Sequence, residues 1–103
     1  MTDLTQDDWF DKLKKTDNSV LLDVRTPSEW DEGIIEGAKK INFMDTDEFI
    51  KEVDQLDKDK SYFVYCRSGN RSGQVCQYME SKGFKAAYNL MGGVLEYDGE
   101  LVS

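Results

Sequence analysis

A chain of 103 residues with 21 acidic against 13 basic side chains carries a net charge of −8, so its field repels phosphate backbones and nucleic acid is not an expected partner. It contains no histidine, which excludes a Cys-His dyad, a Ser-His-Asp triad and any His-ligated zinc. No apolar run approaches the ~20 residues that span a bilayer, the first residues are polar and acidic, and two cysteines are too few for a disulfide framework; the expectation is a cytoplasmic protein with free thiols and no membrane partner.

In chain order, Leu4-Thr5-Gln6-Asp7-Asp8-Trp9 reads as a helix start. Thr5 caps, Asp8 stands where a capping box wants an acid, and Leu4 staples onto Trp9. Trp9, Phe10 and Leu13 give that helix one apolar face through about Lys15. Val20-Leu21-Leu22-Asp23-Val24 is a short apolar run, the pattern of a buried strand. Thr26-Pro27-Ser28-Glu29 is a second capping signature with proline in the first helical position, and Gly33 ends that short helix. Lys40-Ile41-Asn42-Phe43 is a weak strand. Asp45 or Thr46 opens a helix with Phe49, Ile50, Val53 and Leu56 on one face.

Ser61-Tyr62-Phe63-Val64-Tyr65 is the strongest strand and runs directly into Cys66-Arg67-Ser68-Gly69-Asn70-Arg71-Ser72. A helix follows to about Lys82, with Val75, Cys76 and Met79 inward and Gly83 as its stop. Ala86-Ala87-Tyr88-Asn89-Leu90 is the last strand, followed by Met91-Gly92-Gly93 and a short helical tail. Without repeats, linkers or low-complexity runs, residues 1–103 read as a single domain. The alternation predicts a doubly wound α/β fold, a mostly parallel sheet of four to five strands with helices on both faces. In such sheets ligands bind beyond the carboxyl ends of the strands, where Cys66 lies.

Cys66 must be activated without an imidazole. A tight loop leading into a helix supplies converging backbone amides and the positive end of the helix dipole. The dipole contributes about 0.3–1 kcal/mol, up to ~2 if partly buried, which moves a thiol pKa of ~8.5 by only about one unit. Amide hydrogen bonds to charged sulfur add ~1.5–3 kcal/mol each before desolvation is subtracted, so the loop amides have to do most of the work. Gly69 supplies the positive φ such a cradle needs. Arg67 and Arg71 add positive character if either turns toward the sulfur. Two cysteines ten residues apart make no familiar metal pair, and no nucleotide loop or dinucleotide fingerprint is present, so neither a metal nor a cofactor is expected.

Cys66-Arg67-Ser68-Gly69-Asn70-Arg71-Ser72 resembles the active-site loop of the rhodanese family, Cys-Arg-x-Gly-x-Arg-Ser/Thr. Leu22-Asp23-Val24-Arg25, the segment from Glu29-Trp30 through Gly33, Ile35 and Gly37-Ala38, and Asn89-Leu90-x-Gly92-Gly93 resemble three further family segments in the same order. The resemblance implies a doubly wound α/β domain in which Cys66 is catalytic and carries sulfane sulfur as a persulfide. Arg67, Ser68, Gly69, Asn70, Arg71 and Ser72 then form the substrate-binding loop. Ile34 stands where the family usually has histidine, Glu36 where it often has proline, and Tyr97 replaces a common tryptophan.

The implied activity is sulfurtransfer from a small anionic donor, such as thiosulfate or a persulfide, to a thiol or protein-cysteine acceptor, by a monomer or weak dimer. The alternatives are a sulfur-relay or regulatory module without free turnover, and a cysteine phosphatase or arsenate reductase. Against the last, four residues separate Cys66 from Arg71, one fewer than a ring around a tetrahedral phosphate needs. Other expectations stay open in pairs. Arg25 and Glu29 form either a pinning ion pair or a solvated one; Asp23 faces Arg71 or caps a turn. Cys76 is core filling or a redox partner, and Met91-Gly92-Gly93 is a pocket edge or a helix-entry turn.

Overall fold

The computed structural model describes residues 2–103. Its elements, in chain order, are β1 (Thr2–Leu4), α1 (Gln6–Lys15), β2 (Ser19–Asp23), α2 (Pro27–Trp30), β3 (Lys39–Lys40), α3 (Thr46–Asp54), β4 (Ser61–Tyr65), α4 (Asn70–Ser81), β5 (Ala86–Leu90) and a single 3₁₀ turn at Gly93–Leu95. The five strands form one sheet in the order β1-β5-β4-β2-β3, and every pairing is parallel. Because all strands point the same way, the segments that follow them gather along one edge. Cys66 leaves the central strand, β4, at that edge.

Strand alternation sends successive β4 side chains to opposite faces. Tyr62, Val64 and Cys66 pack with Leu22, Val24 and Ala87 against Phe49 and Val53 of α3 and Val75, Cys76 and Met79 of α4. Phe63 and Tyr65 pack with Leu90 against Trp9 of α1 and the C-terminal segment, including Val94, Tyr97 and Leu101. Both faces are thus covered by helices or tail, the two-sided arrangement that continuous apolar runs such as Tyr62–Tyr65 require. Tyr97 stacks on Phe10 with ring centroids 5.2 Å apart.

The helix starts form as their sequences dictate. The Asp8 amide donates to the Thr5 hydroxyl, and Leu4 packs in the cluster that holds Trp9. The Glu48 amide donates to Asp45 at the head of α3. Two elements and one side chain differ from expectation. β1 precedes the first predicted element; it is a three-residue edge strand with largely exposed side chains, held to β5 by backbone pairing and therefore without a burial pattern to announce it. β3 is Lys39–Lys40 rather than Lys40–Phe43, because Asn42 diverts the chain into a turn whose side chain and carbonyl accept from the Met44 and Asp45 amides. Ile50 is 40% exposed instead of buried with Phe49 and Val53. No helix of the described residues is long and apolar enough to cross a membrane.

Candidate active site

Cys66 closes β4 with its side chain fully buried, and the chain then turns sharply enough that its next amides aim back at the sulfur. Gly69, at φ +97°, makes the turn and precedes the first residue of α4. Its N–H donates to Cys66 Sγ at 3.1 Å, and the Ser72 hydroxyl lies 3.3 Å from the same atom. Burial acts most strongly on the thiol and pushes its pKa up. The Ser72 hydroxyl and the amides of Ser72, Gly69 and Ser68 together outweigh burial and hold it below the ordinary value.

The carbonyls at the start of the loop are kept away from the sulfur by the 3₁₀ turn. Val94 N–H donates to Cys66 O and Leu95 N–H to Arg67 O, both at 3.0 Å. This approach requires Gly93. A Cβ there would lie 2.5 Å from the Cys66 carbonyl oxygen and closer still to that of Arg67. The Met91-Gly92-Gly93 segment therefore packs on the cysteine loop as the entry to a helical turn, and it is the next residues, Val94 and Leu95, that line the cleft beside it.

Arg71 does not turn into the ring. Its guanidinium makes a two-pronged pair with Glu29, at 2.7 and 2.9 Å. That pairing, aided by donation from the Thr26 amide and hydroxyl, lowers the Glu29 pKa to about 2. Arg25 is bound elsewhere. It lies buried against Asp23, with contacts of 2.8 to 3.1 Å, and donates to the Gly33 carbonyl at 2.6 Å. Asp23 also accepts from Trp30 Nε1. The Arg25–Glu29 expectation is corrected here, since Arg25 pairs with Asp23; of the two readings of Asp23, the turn cap holds, because its Oδ1 accepts from the Arg25 amide at 3.0 Å, while Arg71 goes to Glu29. A residue two positions from Asp23 on the same strand end reaches it at lower conformational cost than the loop arginine does.

The remaining loop residues look outward. Arg67, Ser68 and Asn70 have exposed side chains, and Arg67 lines an open cleft of about 470 Å³ with Glu29, Glu32, Val94 and Leu95. A second cleft of similar size, between α3 and α4, is lined mainly by Phe43, Met44, Phe49, Ile50 and Tyr78, with no thiol, carboxylate or basic side chain in its lining. Cys76 is fully buried, and burial raises its pKa to about 12, so it fills the core as a neutral thiol.

The chain matches the family model of the Rhodanese-like domain over residues 6–100. It is a rhodanese-like domain. Relatives of this rhodanese-like chain include YtwF of Bacillus subtilis (strain 168), provisionally named a sulfurtransferase, at 40% identity over 87% of this chain and 84% of the relative. A protein of Allochromatium vinosum named sulfurtransferase is 33% identical, over 84% of this chain and 78% of its own. The crystal structure of SSP1007 from Staphylococcus saprophyticus superposes over the full length of both chains with a TM-score of 0.83 and 30% identity. Stretches of tRNA uridine(34) hydroxylases also match, but the chain spans only 29% of the one from Cytophaga hutchinsonii, at 36% identity.

Where the rhodanese family usually has histidine, Ile34 of this domain forms an antiparallel bridge with Val102, two backbone hydrogen bonds of 2.7 Å. The C-terminal tail thus holds this segment through its backbone, beside the buried Ile35. Sequence reasoning missed two neighbours of the rhodanese-like loop. Glu29 was visible as a capping residue; its Oε1 accepts from Thr26 and from Arg71 alike, and its Oε2 takes the second Arg71 bond. Asn89 sits buried in β5 beside Ser72; an amide inside a strand that otherwise packs apolar residues was its available signal.

Proposed function

We propose that this domain is a sulfurtransferase that carries sulfane sulfur on Cys66. The observation that supports this most is a single buried sulfur surrounded by the N–H groups of Ser68, Gly69 and Ser72, in a chain without histidine. Such a ring favours an anion the size of sulfur, and it does so equally for a thiolate and for the outer atom of a persulfide.

The chemistry runs in two displacements. The Cys66 thiolate attacks the outer sulfur of thiosulfate; a new S–S bond forms, the donor's S–S bond breaks, and its electron pair leaves with sulfite. The loop amides then hold the anionic outer sulfur. An acceptor nucleophile attacks that sulfur, and the Cys66–sulfur bond breaks with its electrons returning to Sγ. Cyanide becomes thiocyanate; a thiolate becomes a persulfide.

The loop amides, with Gly69 and Ser72, bind the transferred sulfur in this reading. Arg67, exposed at the mouth, attracts the anionic donor against the net charge of −8. Arg71 acts through Glu29, fixing the first turn of α4 to α2 rather than gripping substrate. Ser68 and Asn70 contribute backbone more than side chain.

A relay role for the same sulfur is favoured by the rim. Leu95 is 62% exposed and Met91 49%, and both belong to the segment that packs on the loop. An apolar rim around a cationic side chain suits a protein cysteine or a bulky thiol acceptor better than it suits a bare anion. The phosphatase reading loses further ground, because the loop arginine it needs inside the ring is held by Glu29.

Thiosulfate:cyanide turnover by the wild type and Cys66→Ala tests the proposal. Turnover is expected to vanish in the variant with the fold preserved, and equal rates would overturn the assignment. A one-sulfur mass gain on Cys66 without cyanide turnover would select the relay.

A further inference from the structure

The amide of Asn89 has only one orientation that fits its neighbours. Its nitrogen lies 2.9 Å from Asp3 Oδ1 and 3.0 Å from the Gly69 carbonyl oxygen. Both are acceptors, so the NH₂ group faces them and Oδ1 faces Ser72 Oγ at 2.5 Å. The Ser72 hydroxyl has one proton. Two acceptors lie within its reach, Asn89 Oδ1 and Cys66 Sγ, and it can serve only one at a time. Ser72 is fully buried and Asn89 is 5% exposed, so bulk solvent offers no easy substitute for either partner.

Which acceptor wins depends on the state of the sulfur. A free thiolate is charged, and a hydrogen bond to it is stronger than one to a neutral amide oxygen. The hydroxyl then turns to sulfur, leaving two oxygens facing each other without a proton between them. Once Sγ carries a second sulfur, the charge sits on the outer atom and Sγ is a weak acceptor. The hydroxyl then returns to Asn89.

We propose that Asn89 is a positioning residue that makes Ser72 a two-position donor, serving Cys66 Sγ when the thiolate is free and Asn89 Oδ1 when Sγ carries sulfur. No proton is transferred; the hydroxyl only reorients as the electron pair of the breaking S–S bond arrives on Sγ. Asn89 thereby competes with the sulfur and moderates its ionisation, while keeping Ser72 oriented during the loaded half of the cycle. The second position rests on the sulfurtransfer reading; the competition itself does not.

The titratable and charged groups that act on Cys66 from the surrounding elements are Arg71, shared with Glu29 of α2, Cys76 of α4 and, through Asn89, Asp3 of β1. None of these residues is itself substituted in the variants that test the idea; Asn89→Leu also removes the amide donor to Asp3 and to the Gly69 carbonyl, a loss common to both Ser72 backgrounds that the comparison between them subtracts.

The test is the pH dependence of Cys66 alkylation in wild type, Ser72→Ala, Asn89→Leu and the double variant. Ser72→Ala is expected to raise the thiol pKa. Asn89→Leu frees the hydroxyl for sulfur and is expected to lower it by about half a unit to one, a three- to tenfold larger thiolate fraction below the midpoint. In the Ser72→Ala background the lowering by Asn89→Leu is expected to disappear, leaving only what the lost contacts to Asp3 and Gly69 contribute in both backgrounds, whereas a merely structural role would act equally in both. Ser72→Thr, which keeps a hydroxyl, restores the wild-type profile.

If Asn89→Leu does not fold, Asn89→Asp replaces it. Its carboxylate is the stronger acceptor and raises the Cys66 pKa, and the rise is larger with Ser72 present than with Ser72→Ala. Equal effects of an Asn89 substitution in both backgrounds, or no effect in either, would overturn the proposal. Because alkylation needs no sulfur donor, failure of thiosulfate turnover in the wild type would strike the sulfurtransfer reading and leave this result standing on its own.

Discussion

Gly93→Ala tests whether the 3₁₀ turn holds the cysteine loop in shape. The new methyl group would lie 2.5 Å from the Cys66 carbonyl oxygen and nearer to that of Arg67, and both obstacles are backbone. Relief requires the turn to withdraw, which breaks the Val94-to-Cys66 and Leu95-to-Arg67 hydrogen bonds. The left-handed conformation at φ +55° costs a non-glycine residue about 1–2 kcal/mol. The unpaired Cys66 carbonyl, buried beside the sulfur, adds about 1–3 kcal/mol, and the lost Arg67 bond about 1. The expected destabilisation is therefore about 3–6 kcal/mol.

Gly83→Ala is the control, since Gly83 has φ +87° but nothing within 4 Å of a built Cβ; it should cost only the conformational ~1–2 kcal/mol. Urea unfolding of both variants gives the comparison. Gly93→Ala should also raise the Cys66 pKa, because freed carbonyls let the Ser68 and Gly69 amides lose their aim. A Gly93→Ala protein no less stable than Gly83→Ala, with an unchanged thiol, would refute the clamp.

Three further outcomes follow from the ion pairs and the second thiol. Arg25→Ala leaves Asp23 charged and buried, and should cost about 3–5 kcal/mol in urea unfolding; a loss under about 1 kcal/mol would mean the pair is dispensable. Glu29 is depressed from 4.5 to about 2 in the folded chain, so its contribution is complete above pH 4.5 and disappears as pH falls toward 2. Glu29→Gln should therefore be destabilised by at most about 3 kcal/mol at pH 7, with the gap to wild type closing between pH 4.5 and 2; a gap independent of pH would contradict the pairing. Cys76→Ala should keep most thiosulfate turnover and lose about 1–2 kcal/mol to a small cavity, and loss of turnover in a folded protein would give that thiol a part in the reaction.

The sequence was most legible where one signal dominated. The Tyr62–Tyr65 run could only be a strand buried on both faces, and Thr5, Asp45 and Thr26-Pro27 announced helix starts through their own hydrogen-bonding chemistry. Cys66 and Gly69 were readable because a reactive loop at a strand end needs a nucleophile and a positive φ. β1 was not readable, since its three residues are recruited by the open edge of β5 and bury little. The exchange of partners between Arg25 and Arg71 was also hidden. Either arginine suits either acid by charge, and only the closeness of Arg25 to Asp23 across the end of β2 decides. Asn89 was legible as part of the Asn-Leu-x-Gly-Gly segment, but its partners come from β1 and α4, 86 and 17 residues away. Nothing local encodes them.

The central claim is that backbone amides and one hydroxyl, without imidazole, ionise a buried sulfur. The most direct measurement is the pH dependence of Cys66 alkylation in a Cys76→Ala background, where no second thiol contributes. A midpoint clearly below the ordinary ~8.5 is predicted. A midpoint at or above that value would show burial winning over the hydrogen bonds and would contradict the account.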